Sequence, residues 1–192
     1  MKLEGVKIGF AITGSFCTFE KILDIVKKLK KEGATIIPIM SSTAFHTNTR
    51  FGNAKDFIKE LEELTGHKVI NDIVGAEPLG PKNMVDVILI APATGNTIAK
   101  LTYGINDTSV TMATKSLLRM EKPIVVAIST NDALSTNAKN IGYLLNTKHF
   151  YFVPFRQDNP ITKPRSLVFD SDSIVPAIKF ALKEQQVQPI LL

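Results

Sequence analysis

Four short polar clusters, Thr13-Gly14-Ser15, Ser41-Ser42-Thr43, Thr94-Gly95-Asn96-Thr97 and Ser129-Thr130-Asn131, each follow an apolar run of the chain. They offer hydroxyl, amide and backbone N–H groups with almost no carboxylate among them. Such a set suits a phosphate and a planar heterocycle better than a metal ion, because small residues let the backbone approach a ligand and a helix N-terminus favours an anion. Gly, Ser, Thr and Asn are also ordinary turn and N-cap residues, so any one cluster carries little weight. Four of them on one predicted rim point to a mononucleotide-type ligand. Thr13-Gly14-Ser15 is not a GxGxxG, and no acidic residue closes the second strand to hold a ribose, which disfavours a dinucleotide. The single cysteine, Cys17, excludes an internal disulfide and any cysteine-based metal cluster, and no metal ligand set is expected. Cys17 sits at a predicted helix start where a thiolate would be stabilised. With no base identifiable nearby, it reads as a small packing residue.

The elements that must position these clusters alternate between strand and helix. Val6–Ile12 is short, β-branched and apolar. From Thr18 onward Phe19, Ile22, Leu23, Val26 and Leu29 recur at helical spacing, with Gly33 as the expected C-cap. Thr35–Met40 is a second strand; Phe57, Ile58, Leu61 and Leu64 mark a helix that stops before Gly66. Val85–Ala91 and Pro123–Ser129 are nearly all apolar, as strands covered on both faces should be. A helix is expected from about Ile98, another around Thr136–Leu145, a short strand at Phe150–Pro154, and a last helix at Ser173–Lys183 capped by Asp172 or Ser173. Residues Arg156–Phe169 carry prolines and polar groups without periodicity and read as a long surface loop. The sum predicts one domain over residues 1–192, an α/β fold with a doubly wound, three-layer parallel sheet of the Rossmann or flavodoxin-like kind. In such sheets ligands bind beyond the carboxyl ends of the strands, where all four clusters fall.

Composition narrows the classes. The chain of 192 residues is 44% hydrophobic and 21% charged, an ordinary globular balance. No apolar run reaches the ~20 residues of a membrane span, and the N-terminus lacks a signal-peptide pattern, so a cytoplasmic protein is expected. The net charge of +5 is spread over helix ends such as Lys27, Lys28, Lys30 and Lys31. No basic stripe is interleaved with aromatics, and nucleic-acid binding is not expected.

The segment Ala91–Thr111, APATGNTIAKLTYGINDTSVT, resembles the signature of the flavoproteins of the flavin-containing cysteine decarboxylase type. There a strand ends in P-A-[ST]-x-N-T, followed by I-A-K-x-x-x-G-I-x-D. Pro92, Ala93, Thr94, Asn96, Thr97, Ala99, Lys100, Gly104, Ile105 and Asp107 match at fixed spacing. The resemblance implies FMN, a Rossmann-like fold, and homo-oligomers (trimers, or dodecamers) with flavin sites near subunit interfaces. Carried over by position, Thr13, Gly14 and Ser15 would approach the phosphate or ribityl chain, as would Ser41 and Thr43. Pro92, Ala93, Thr94, Asn96 and Thr97 would lie against the flavin or the substrate, and Ser129, Thr130 and Asn131 would close the pocket.

Departures from the family pattern separate its branches. The His that decarboxylases carry before the motif proline is missing from Ala76–Pro81, and Ile128–Asp132 shows neither their P-x-M-N nor the Arg-Glu pair of flavin prenyltransferases. The stretches KIGFAITGSFCTFEK, SSTAFHTNTRFG, PATGNT and VPFRQDNP are similar to the branch formed by the B subunits of dipicolinate synthases. That branch implies an NAD(P)-dependent A subunit as partner and a small dicarboxylate substrate. It also implies formation of pyridine-2,6-dicarboxylate from a dihydrodipicolinate-type precursor in the mother cell of a sporulating bacterium. Arg50 and Arg156 are then candidates to pair with substrate carboxylates, since a guanidinium fork matches a carboxylate. His46 is a candidate general acid or base. Two alternatives stay open: a decarboxylase or prenyltransferase acting alone, and a non-catalytic flavin-binding or scaffolding subunit.

Overall fold

A computed structural model describes residues 2–15 and 18–192, and Cys17 lies outside the described residues. Five strands, β1 (Lys7–Ile12), β2 (Thr35–Met40), β3 (Val87–Ala93), β4 (Ile124–Thr130) and β5 (Phe150–Phe152), pair in parallel. Their order across the sheet is β2-β1-β3-β4-β5, the doubly wound order of flavodoxin-like folds. The helices between them are α1 (Phe19–Lys31), α2 (Ser42–His46), α3 (Ala54–Thr65), α4 (Ile73–Ala76), α5 (Gly95–Thr102), α6 (Ser109–Leu118) and α7 (Ala138–Leu145).

Strand periodicity explains the three layers. In β1, Ile8, Phe10 and Ile12 join one buried cluster with α1 residues Ile22, Val26 and Leu29, whereas Ala11 joins the opposite one. In β3, Val87, Leu89 and Ala91 face the first cluster, while Ile88 and Ile90 meet Ile98 of α5 and Val110, Ala113 and Leu117 of α6. Both faces are buried, so the strands read as continuous apolar runs. Near the end of β3 the register against β4 shifts: Ile90 pairs with Val126, yet Ala93 pairs with Ile128, so β3 holds one residue more than its partner. Ala93 accordingly packs with Ile90 rather than with Ala91.

The helix boundaries follow local chemistry. Gly66 ends α3 in the left-handed region (φ 75°), as the C-cap reading expects. The helix expected from Ile98 begins earlier, at Gly95, because Thr94 takes an extended N-cap conformation (φ −77°, ψ 158°). At the far end Ser173, one of the two expected cap residues, is the N-cap of α8 (Ile174–Ala181) without a side-chain cap bond, and Asp170 caps the short 3-10 turn ahead of it, its carboxylate accepting from the Ser173 amide and hydroxyl.

The stretch Arg156–Phe169 is not a loop. It forms an antiparallel hairpin, β6 (Phe155–Asn159) and β7 (Lys163–Phe169), so the whole sheet is mixed, with seven strands. The tip is an Asx turn in which Asn159 Oδ1 accepts from the amides of Ile161 (3.0 Å) and Thr162 (2.8 Å). Strand β7 joins β4 through Ser129↔Val168 and Thr130↔Leu167. Strand β5 occupies the first half of the same β4 edge, at Ile124–Val126, and the hairpin takes over where β5 stops. Its polar outer face hid the strand pattern, while Phe155, Leu167 and Phe169 anchor it in the core.

Candidate functional site

The loop after β1, the first turn of α5, the end of β4 and the hairpin converge on a cleft of about 630 Å³ at the carboxyl ends of the strands. Gly14, Ser15, Thr94, Asn96, Ser129, Thr130 and Asn131 line it, joined by Gly95. Three of the four clusters therefore meet. Beneath them a hydrogen-bonded layer fixes the backbone. Thr13, 1% exposed, donates through Oγ1 to the Pro92 carbonyl at 2.6 Å and accepts from the Thr94 amide at 3.1 Å. Thr94 and Thr97 share a hydroxyl–hydroxyl bond of 3.1 Å, and the Ser15 and Ser129 hydroxyls lie 3.1 Å apart across the cleft. Pro92, Ala93 and Thr97 are buried under this layer rather than on the cleft wall.

The remaining sequence candidates lie elsewhere. Ser41 is buried and caps α2, accepting from the Ala44 amide at 3.3 Å; Thr43 is exposed on that helix. His46 is exposed at the end of α2, edge-on to Phe45, beside a separate groove shared with Asn48, Lys55 and Ile58. Arg50 is exposed and its guanidinium sits 4.9 Å from the Phe51 ring. Arg156 is half exposed on β6, 3.6 Å from the Asp170 carboxylate. None of these five lines the cleft.

Residues that the sequence reading missed do line it: Thr18 and Lys21 from α1 and the loop before it, Asp132 after β4, and Asp158, Lys163, Ser166 and Val168 from the hairpin. Asp132 directly follows the Asn131 cluster and was within reach of the same reasoning. The hairpin residues gave no signal once that stretch was read as a loop. Lys163 pairs with Asp158 across the hairpin. Outside the cleft, Lys100 donates to both carboxylate oxygens of Asp107 at 2.8 Å and holds that acid below its ordinary range, tying α5 to the approach to α6. Among the described residues, no group of His, Cys, Asp and Glu could hold a metal ion, and no helix is long and apolar enough to cross a membrane.

The donor set therefore combines hydroxyls, amides and close backbone, with its carboxylates turned to protein partners. Comparison with known proteins gives this arrangement a family: the Flavoprotein family matches residues 1–173. The chain belongs to the Flavoprotein family. This flavoprotein is 45% identical over 190 residues to the B subunit of dipicolinate synthase from Bacillus subtilis, covering 99% of this chain and 95% of that protein. Its structure is similar to that of the dipicolinate synthase B subunit from Bacillus halodurans, with a TM-score of 0.92 and 42% identity, covering 100% of this chain and 98% of that one. A likeness in fold extends to the FMN-dependent cysteine decarboxylase SpaF, with a TM-score of 0.70 and 23% identity over 93% of this chain and 98% of that one. The cleft suits a flavin: its volume lies within the ordinary range for cofactor sites, and its lining offers hydroxyl and amide groups while its carboxylates, Asp132 and Asp158, are engaged by protein partners.

Proposed function

We propose that this flavoprotein binds FMN in the rim cleft and acts as the B subunit of a dipicolinate synthase. Its partner would be an NAD(P)-dependent A subunit, and the product pyridine-2,6-dicarboxylate, formed from a dihydrodipicolinate-type precursor. The observation that carries the reading is the full-length likeness to the Bacillus subtilis protein. Aromatising a dihydropyridine removes two electrons and two protons, with loss of water before it when the ring enters as its hydroxylated tetrahydropyridine. That chemistry belongs to an oxidoreductase, and a bound flavin would supply a two-electron acceptor. Gly14, Ser15 and the Thr94–Thr97 turn hold the cofactor, and Ser129, Thr130 and Asn131 close the cleft over it. His46, Arg50 and Arg156 stand outside the cleft of a single chain, so a substrate role for them belongs to an oligomer or to the A–B complex. A homo-oligomer (trimer or dodecamer) in the mother-cell cytoplasm of a sporulating bacterium completes the proposal.

The test is a titration of the purified chain with FMN, alone and with the A subunit, followed by absorbance from about 300 to 550 nm, the range of the flavin bands. Saturable perturbation of those bands is expected, followed by bleaching when the precursor is added to the complex. A flavin that stays oxidised while dipicolinate forms would assign the electrons to the A subunit's nicotinamide and leave this chain a flavin-binding scaffold. Absence of binding under both conditions removes the flavin from the reading.

A further inference from the structure

We infer that Asp132 is a positioning residue for the flavin-binding turn: with Thr130 and Asn137 it locks the first turn of α5 against the end of β4. The inference rests on the FMN reading of the cleft. Asp132 borders the cleft, yet both its oxygens are engaged by the protein. Oδ1 accepts from Thr130 Oγ1 at 2.6 Å and Oδ2 accepts from Asn137 Nδ2 at 2.6 Å. Asn137 Oδ1 accepts in turn from Asn140 Nδ2 at 2.8 Å, and these two asparagines are 4% and 3% exposed. Gly95, the first residue of α5, lies directly on this cluster. A Cβ there would fall 2.5 Å from both Asp132 Oδ1 and Asn137 Nδ2, and 2.8 Å from Thr130 Oγ1. The backbone between Thr94 and Asn96, which both line the cleft, is thus seated on a carboxylate, and that charge also complements the positive end of the helix.

Stability alone gives little reason for the cluster. Asn140 Oδ1, at its inner end, is buried with no hydrogen-bond partner among the described residues. A partly satisfied polar network is worse than apolar packing in the same space. Its value lies in direction: a carboxylate only accepts and an amide nitrogen only donates. The Asp132–Asn137 contact therefore has one allowed polarity, and it sets where the turn of α5 rests.

That polarity can be broken and restored. Asn137→Asp sets two carboxylates at hydrogen-bond distance, whereas the exchange Asp132→Asn with Asn137→Asp reverses the pair and satisfies every bond again. FMN affinity and the absorbance of the bound flavin would be measured for the wild type and both variants, with circular dichroism and thermal melting to establish that each folds. Asn137→Asp is expected to weaken FMN by about ten- to a hundredfold and to reduce the perturbation of the flavin bands. The exchange should recover both to near wild-type values. Unchanged affinity and spectrum in Asn137→Asp overturn the inference, and so does a folded exchange variant that recovers neither. Should Asn137→Asp not fold, Gly95→Ala disturbs the same contact from the helix side, and wild-type FMN binding in that variant overturns the inference. A wild type that binds no FMN removes the cofactor reading itself, and the inference with it.

Discussion

At the scale of the residue, Thr13 shows how one side chain serves the cleft from beneath. A valine there keeps the shape but leaves the Pro92 carbonyl and the Thr94 amide without this partner. Thr13→Val should cost about 1–3 kcal/mol, the range for stranding buried polar groups, read from denaturant unfolding, and should also weaken FMN. Away from the cleft, the Glu62 carboxylate accepts from Lys68 Nζ at 2.7 Å and from the Val69 amide at 3.0 Å. These bonds, Lys68 first, hold its pKa below the ordinary 4.5. The charged form is thus favoured by folding, so its contribution is complete above that value and is lost as the pH falls through the lower folded one. In unfolding curves from about pH 6 to about pH 3, wild type should exceed Glu62→Gln in stability, and the gap should close on the acid side. The residues legible from sequence were those whose polar types interrupt apolar runs, as at Thr13–Ser15, Thr94–Thr97 and Ser129–Asn131. Ser41 bears the same marks and spends them on capping α2, which spacing could not distinguish from ligand contact.

At the scale of the element, the parallel strands announced themselves because burial on both faces leaves only apolar, β-branched residues. Helix α6 did not. Ser109, Val110, Thr111, Ala113, Thr114, Ser116 and Leu117 are all buried, so it lacks the polar stripe that makes an amphipathic helix readable, and the sequence reading allowed one helix after Thr97 where there are two. The hairpin was hidden for the opposite reason, since Arg156, Gln157, Asp158 and Asn159 are all exposed and resemble loop residues. Helix α6 also sets a steric limit on its neighbour. The Gly80 amide donates to Ser116 Oγ at 2.8 Å, and that hydroxyl donates to the Glu77 carbonyl at 2.6 Å. A Cβ on Gly80 would lie 2.0 Å from the Ser116 carbonyl oxygen, and backbone cannot move aside as a side chain can. Gly80→Ala should therefore destabilise by about 3 kcal/mol, at the upper end for overpacking, measured by urea or thermal unfolding.

At the scale of the whole molecule, β1, β3 and β4 are internal strands buried along nearly their whole length, whereas the hairpin tip is exposed, with Ile161 89% accessible. Native-state hydrogen exchange should protect the amides of the three internal strands most and those of Asp158–Thr162 least. Equal protection of the tip would mean that a further surface covers it in solution, and a homo-oligomer or the A subunit would supply one. The flavodoxin-like strand order was within reach of the sequence because strand and helix alternate. The hairpin's attachment to the β4 edge was not, because it depends on β5 being short enough to leave Ser129 and Thr130 unpaired.

The extra residue near the end of β3 bears on how this chain can change over time. Substitutions among small apolar residues at positions 91–93 preserve the path of the strand. Regular pairing of this segment at its present length would return Ala93 to the layer of Ala91 and turn Thr94 away from Thr13 and Thr97, because a one-residue slip exchanges the faces of everything beyond it. The irregular pairing in this buried segment is therefore under tighter constraint than residue identity. Descendants of this sequence should accumulate insertions and deletions in the Asn159–Thr162 turn, where the backbone meets only solvent and its own asparagine, long before any appear between Ile90 and Thr94.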